Sequence, residues 1–404
     1  MSGETQAIFN ILLAPNAFKG SLTALSAALA MDEGIRRVGG LPNGVALNTL
    51  FAPLADGGDG ALETLISATG GSLESAEVQD PLGRTIQARW GRLGGEHSHI
   101  AVIEMAEASG LRLLQRDELD PLHASTYGVG QLMLKAIEAG CRELLVAIGG
   151  SATNDGGAGM AQALGIRLLD ETGRDLPPGG VNLNRLAAID RSSSLLSKDI
   201  RVSVACDVNN PLCGAEGASA VYGPQKGATA EDVVALDAGL WRFSEVIKSQ
   251  LSIDVAERPG AGAAGGLGAG LMAFCGAELR SGSDWVMEVV GFEEKLAQCQ
   301  LVITGEGRID GQTARGKVIA GVAQRAKARG IPVIALAGSI EEGADALLRE
   351  SGLTATVCIL DSPCTVDEAM RRGYALIADT TERLIRLRGV FGGHFVLEEG
   401  RGAG

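Results

Sequence analysis

The sequence predicts an α/β protein of two domains: a doubly wound, parallel-sheet outer domain built from both chain ends, and a mixed α/β domain inserted between them. Three observations carry this expectation. Short apolar runs at residues 8–14 and 47–54 each end in a glycine-containing polar loop and give way to a helical pattern, the rhythm of an open parallel sheet. Residues 72–105 instead alternate apolar and polar side chains, with turn signals at Asp80-Pro81-Leu82-Gly83 and Gly94-Gly95, as antiparallel strands do. From about residue 291 the plain strand–helix rhythm returns. The expected outer domain therefore comprises residues 1–71 with 290–404, and the insertion residues 72–289, with the active site in the cleft between them. Two or three domains in series is the alternative that 404 residues also allow.

The elements follow in order. Residues 8–14 read as a buried strand. Ser21 or Thr23 caps a helix whose inner face carries Leu25, Ala28, Leu29 and Ile35. A second strand, 47–54, runs into ADGGDG (55–60) and then a helix over 61–68. Beyond the antiparallel region, Ser125 or Thr126 caps a helix to Ala139, and residues 144–148 form a strand that ends in a glycine loop. Another strand covers 201–206. Thr229 to Asp232 fits a capping-box variant before a long helix to about Leu251. The last third reads as strands at 301–304, 332–337 and 354–360, with helices at 318–328, 341–350 and 366–387.

Composition narrows the function. Apolar residues are 46% and charged residues 21%, which fits a globular enzyme with more than one core. A net charge of −14 with no basic stripe, and 3% aromatics, argue against nucleic acid as a partner. Seven cysteines without a C-x-x-C read as reduced thiols of a cytoplasmic protein. The uncharged run 259–277 is mostly Gly and Ala and too poor in large side chains to favour lipid, so no membrane partner is expected.

Three loops carry the chemistry. Residues 147–159 (AIGGSATNDGGAG) join a strand to a helix, which is how backbone N–H groups are aimed at an anion. Residues 14–22 (APNAFKGSL) place Lys19 at the mouth of the first strand. Residues 304–317 (TGEGRIDGQTARGK) crowd Glu306, Arg308 and Asp310 among glycines, with Arg315 and Lys317 following. A solvated charged turn is the ordinary reading of such a loop, but carboxylates beside an arginine at a strand end suit magnesium–phosphate chemistry. Asp56 and Asp207 lie at two further strand ends. Asp59 reads equally well as a helix cap. Residues 311–317 match a P-loop until the eighth position, where Val318 replaces the magnesium-binding Ser or Thr. The G-x-G-x-x-G string at 260–265 follows no buried strand, so a dinucleotide site has little support there. The four histidines form no constellation, and no G-x-S-x-G elbow is present.

Seven stretches, in order and spanning nearly the whole chain, resemble the glycerate kinase family, the class typified by bacterial glycerate 2-kinases. They are APNAFKGSLTA (14–24), PLADGGDG (53–60), STYGVGQLMLKAIEAG (125–140), IGGSATNDGGAGMAQALG (148–165), CDVNNPLCG (206–214), VYGPQKGA (221–228) and TGEGRIDGQTARGK (304–317). Ala17 and Asp59 depart from the residues the family often carries. The resemblance implies a Rossmann- or flavodoxin-like outer domain and ATP- and Mg2+-dependent phosphorylation of D-glycerate to 2-phosphoglycerate. Under that reading Lys19 or Arg308 holds the substrate carboxylate, with Asn16 and Asp56 as further substrate contacts. Gly149, Gly150, Ser151, Thr153, Asn154, Asp155, Gly156, Gly305 and Lys317 hold the nucleotide phosphates. Asp56, Asp207 or Glu306 holds the metal. Asp310 first, Asp207 second, orients the acceptor hydroxyl, with Lys19 as a further catalytic group. A homodimer is part of the expectation. Phosphorylation of the 3-hydroxyl or of another small hydroxy acid, and a non-catalytic anion-binding protein, are the rival readings.

Overall fold

The computed structural model describes residues 7–41, 44–58, 60–311, 313 and 318–391. The chain begins with strand β1 (Ile8–Pro15), helix α1 (Ala24–Val38) and strand β2 (Ala46–Phe51). There follow α2 (Ala61–Thr69), the strands β3 (Ser72–Gln79), β4 (Thr85–Arg92) and β5 (Ile100–Glu104), then α3 (Ala106–Ser109) and α4 (Tyr127–Glu138). Next come β6 (Glu143–Ala147), α5 (Ala158–Ala163), β7 (Arg167–Leu169), β8 (Ala188–Asp190) and β9 (Arg201–Ala205). Then α6 (Ala218–Tyr222), α7 (Ala230–Leu251), α8 (Leu267–Cys275), β10 (Glu278–Arg280) and α9 (Gly282–Val289). The remaining elements are α10 (Phe292–Leu296), β11 (Leu301–Ile309), α11 (Val318–Lys327), β12 (Val333–Ile340), α12 (Ala344–Glu350), β13 (Ala355–Cys358) and α13 (Val366–Phe391). Contacts group them into two compact units: the described residues up to Leu54 together with those from Val290, and Ala55–Val289.

The first unit is an α/β layer around one all-parallel sheet, ordered β13-β12-β11-β1-β2. Counted within the unit this is the order 2-1-3-4-5 of flavodoxin-like folds, and its direction reverses between β1 and β11. The central place of β1 accounts for its unbroken apolar run, since Ile11, Leu12, Leu13 and Ala14 are all buried. Thr23 caps α1 by accepting from the Ser26 N–H at 3.1 Å. Helix α1 lies against α13 so closely that a Cβ on Gly34 would sit 2.2 Å from the Ala378 carbonyl oxygen. The buried face is accordingly lined by small residues, Ala24, Ala27 and Ala28, with Met31 and Ile35. Leu29, read from the sequence as an inner residue, is 44% exposed.

The second unit holds a mixed six-stranded sheet, β10-β9-β6-β5-β4-β3, in which β5, β6, β9 and β10 are parallel and β3–β4–β5 are antiparallel. Strands β7 and β8 make a separate antiparallel ribbon. Thr229 and Asp232 form the expected capping box of α7. Residues 55–71 were expected with the chain ends, but they belong to this unit, because α2 packs on β4, β5 and α9. The Gly/Ala run at 259–277 folds as a buried turn and the short helix α8. No helix among the described residues is long and apolar enough to cross a membrane.

Candidate active site

Four parallel strands of the second unit deliver their carboxyl ends to one edge, where open α/β sheets bind ligands. The chain leaves β5 at Glu104, β6 at the glycine loop, β9 at Asp207 and β10 at Ser281 and Gly282. The loop at 55–58 lies over this edge. A Cβ on Gly57 would fall 2.8 Å from Ala205 Cβ and 2.9 Å from Gly282 Cα, and one on Gly149 would fall 3.5 Å from Gly58 Cα. Glu104 holds the loop in place. Its buried Oε1 accepts the N–H groups of Gly60 (3.1 Å) and Leu62 (2.9 Å), occupying the start of α2 with a protein carboxylate.

Asp56 and Asp207 face this edge. Asp56 Oδ1 accepts the Gly58 N–H at 3.0 Å, and Asp207 Oδ1 accepts the Gly282 N–H at 3.1 Å. Asp207 reaches solvent, yet protein crowds its carboxyl. That desolvation pushes its pKa above the ordinary carboxylate value, the Gly282 N–H opposes the rise, and the Asp56 charge adds to it. Two hard oxygen donors within each other's field suit a divalent cation.

The glycine loop divides into a surface part and a buried part. Gly149 and Gly150 are exposed, whereas residues 151–159 are buried. No acceptor among the described residues takes the N–H of Gly149, Gly150 or Ser151, while the Gly150 carbonyl accepts from the Leu111 N–H at 2.9 Å. The loop's uncommitted N–H donors are therefore those of 149–151. Asp155, expected to be among the phosphate ligands, instead shapes the loop from inside. Its carboxylate accepts from the Thr126 N–H and hydroxyl, the Gly157 N–H and the Gly159 N–H, all at 2.8–3.1 Å. This explains why Thr126, at the head of α4, does not cap that helix with its own side chain. Burial holds the Asp155 pKa above its ordinary value. Gly156 lies against the Phe243 ring, and Thr153 and Asn154 are fully buried. The Gly260–Gly265 string is absorbed here too: Gly265 lies against the Thr153 and Asn154 backbone, so its glycines serve close packing, not a dinucleotide.

In the first unit, the two remaining loops meet at the point where the strand order reverses, between β1 and β11. The Asn16 N–H donates to the Gly305 carbonyl at 2.8 Å, and Thr304 Oγ1 donates to the Ala14 carbonyl at 2.7 Å. Asn16 is buried, its Oδ1 accepting the Ala17 N–H, and Lys19 is exposed. Gly307 approaches the backbone of Phe18 and Lys19: its Cβ would lie 3.5 Å from the Lys19 backbone nitrogen. Glu306 and Arg308 were read as loop residues but extend β11, in register with Ala337 and Ser339. The two-residue period of a strand thus sets Glu306 and Arg308 on one face. Thr313 Oγ1 donates to Glu306 Oε1 at 2.5 Å and accepts the Asp310 N–H at 3.2 Å. Arg308 is exposed and stands 3.9 Å from both Asp310 and Glu341. Gly305 is a buried strand residue, admitting the Leu336 carbonyl 2.4 Å from where its Cβ would be. Lys317, Arg315 and Asp59 lie outside the described residues.

Among the described residues, no group of three or more His, Cys, Asp and Glu is placed to hold a metal. Magnesium in nucleotide sites is commonly held by one or two carboxylates plus phosphate and water, which the Asp56–Asp207 pair fits. Sequence reasoning missed Glu104, Ser219, Lys226 and Thr313. Lys226 and Thr313 lay within quoted motifs, but nothing in a linear string shows that one is buried under a loop and the other bridges two carboxylates.

Uncommitted loop amides and neighbouring carboxylates at parallel strand ends suit an α/β phosphotransferase. The chain belongs to the glycerate kinase family, whose model matches residues 11–388. It is 47% identical over 375 residues to a glycerate kinase of Halalkalibacterium halodurans, spanning 93% of this chain and 97% of that protein. It is 47% identical over 365 residues to the glycerate 2-kinase of Escherichia coli K12, spanning 90% and 94%. A crystal structure of a candidate glycerate kinase 2 from Salmonella typhimurium LT2 superposes with a TM-score of 0.87 at 42% identity, covering 96% of this chain and 100% of that one. The chain is accordingly an enzyme, a kinase.

Proposed function

We propose that the enzyme transfers the γ-phosphoryl group of ATP, in line, to the 2-hydroxyl of D-glycerate, releasing 2-phosphoglycerate and ADP. The observation that carries this reading is the Asp56–Asp207 pair set beside the uncommitted N–H groups of Gly149, Gly150 and Ser151 on one sheet edge. The name of the Escherichia coli relative supports the 2-position. Mg2+ held by Asp56 and Asp207 would supply neutralisation of phosphate charge.

The chain's own groups do the rest. The 149–151 amides hold phosphate oxygens without breaking an intramolecular hydrogen bond, because their donors are otherwise unspent. Lys19 or Arg308 pairs with the glycerate carboxylate, both being exposed cations at the reversal point of the first sheet. Asn16 orients the substrate hydroxyls. Asp310, tied to Thr313, orients the acceptor hydroxyl and takes its proton late in the transfer. Glu306 and Lys317 complete the phosphate and metal environment. The reading places the protein in the cytoplasm as a homodimer, and light scattering tests the dimer.

Phosphorus NMR of the product decides the reaction. A 2-phosphoglycerate signal that depends on both ATP and D-glycerate is expected. A 3-phosphoglycerate signal, or turnover only with another hydroxy acid, would replace the proposal. Asp310→Ala should lower turnover far more than ATP affinity, and unchanged turnover would remove Asp310 from its role.

A further inference from the structure

The segment from Ala218 to Lys226, part of which sequence analysis singled out as VYGPQKGA, touches no candidate substrate position, yet its polar side chains reach two candidate loops. Ser219, fully buried on α6, accepts a hydrogen bond from Asn154 Nδ2 at 2.9 Å. Lys226, 1% exposed, donates from Nζ to the Thr153 carbonyl at 2.6 Å. Both bonds grip the buried half of the glycine loop. Between them, Tyr222 donates its hydroxyl to Asn210 Oδ1 at 2.7 Å. Asn210 belongs to the turn that follows Asp207, and its own Nδ2 donates to the Glu216 carbonyl at 2.8 Å.

We infer that residues 218–226 form a clasp that sets the phosphate loop and the Asp207 turn at a fixed separation, with Ser219, Tyr222 and Lys226 as positioning residues for phosphoryl transfer. The inference rests on the reading that the 149–151 amides and Asp207 act on one phosphoryl group. Three features support it. A fully buried ammonium is costly unless it is hydrogen-bonded, and the Thr153 carbonyl is its one such partner among the described residues. Burial draws the Lys226 pKa down to about 7 while the Asp155 charge opposes the shift, so the group is held there against its own solvation. Thr153 Oγ1 and Asn154 Oδ1 are buried without a hydrogen-bond partner among the described residues. A loop whose own side chains leave acceptors unspent depends on outside contacts for its position.

A second link joins the same two loops through backbone alone. The Gly262 N–H donates to the Asn210 carbonyl at 3.0 Å, and the Gly156 N–H donates to the Gly265 carbonyl at 3.0 Å. Cutting the side-chain clasp should therefore loosen the loops without unfolding the unit. It should appear in turnover, which depends on sub-ångström placement, more than in binding.

The test is a double-mutant cycle of Tyr222→Phe and Ser219→Ala in the full-length enzyme, with thermal melting, kcat, and KM for ATP and D-glycerate. Tyr222→Phe opens the end on the Asp207 turn, and Ser219→Ala loosens the end on the glycine loop, which Lys226 still holds. Each is expected to lower kcat roughly three- to tenfold, the scale of one hydrogen bond, and to leave both KM values within about twofold. The double variant should cost clearly less than the product of the two, since once the Tyr222 end is open, how firmly the other end is held no longer sets the separation of the loops. Lys226→Met should approach a 100-fold loss, about the cost of a 1 Å misplacement; if it does not fold, the cycle alone decides. Effects that multiply, or lowered melting temperatures with unchanged kcat, would overturn the inference. Asp207→Asn separates the two levels: full activity there refutes the underlying reading, whereas an inactive Asp207→Asn beside wild-type Tyr222→Phe and Ser219→Ala refutes only the clasp.

Discussion

Two glycines flanking α8 offer an internally controlled test of how the glycine loop is held. Gly265 and Gly276 both adopt left-handed backbone, at φ +66° and φ +62°. Alanine at either position incurs the left-handed penalty of about 1–2 kcal/mol. The surroundings differ. A Cβ on Gly276 meets nothing within 4 Å, whereas one on Gly265 would lie 2.0 Å from the Thr153 carbonyl oxygen and 2.7 Å from Asn154 Cα. Comfortable non-bonded separations begin near 3.5 Å, so the two backbones must part by roughly 1.5 Å. Overpacking of this kind costs about 1–3 kcal/mol more. Gly265→Ala should therefore melt about 2–12 °C below Gly276→Ala, taking roughly 2–4 °C per kcal/mol for a unit of this size. The displaced loop should also lose on the order of 100-fold in kcat, with Gly276→Ala close to wild type. Differential scanning calorimetry and steady-state kinetics read both quantities. Equal melting temperatures and equal kcat in the two variants would refute the claim that backbone contact at Gly265 positions the loop.

Three further outcomes are expected. In the metal-free enzyme the Asp207 carboxyl titrates above the ordinary carboxylate value, partly through the Asp56 charge; Asp56→Asn removes that negative neighbour, so an NMR titration without divalent cation should find the Asp207 midpoint lowered, and an unmoved midpoint would deny that the two carboxylates sense each other. Lys226 has a folded pKa of about 7 against 10.5 for the free side chain. Between those values the unfolded chain holds a proton that the folded one has shed, so this group makes stability rise with pH, by up to about 1.4 kcal/mol per pH unit. Denaturant titrations from pH 7 to 10 should show that rise in wild type and its absence in Lys226→Met. Thr313→Val removes the hydroxyl between Glu306 and Asp310, and kcat should fall roughly tenfold, the value of one hydrogen bond to a charged group. A kcat within twofold of wild type would show that Thr313 does not order that pair.

Local physics made much of this protein legible from its residues alone. The two-residue alternation of 72–92 specifies a hairpin, Thr229 and Asp232 specify a helix start, and apolar runs ending in glycine and aspartate specify strands that deliver loops to one edge. These signals are short-range, set by backbone sterics and by hydrogen bonds between near neighbours. Seven ordered motifs likewise pointed to the glycerate kinase family, which the comparisons establish. Tertiary structure alone decided the rest. It moved residues 55–71 to the second unit, because α2 packs on β4, β5 and the sequence-distant α9. It made Glu306 and Arg308 strand residues, since β12 supplies a ladder beyond Thr304. It turned Asp155 inward onto Thr126, left the amides of 149–151 without an acceptor among the described residues, and buried Lys226 beneath Thr153. Whether a polar side chain faces solvent or supports a loop from below depends on which segments pack against it. That is fixed by the balance of burial and hydrogen bonding across the whole unit, which no linear pattern contains.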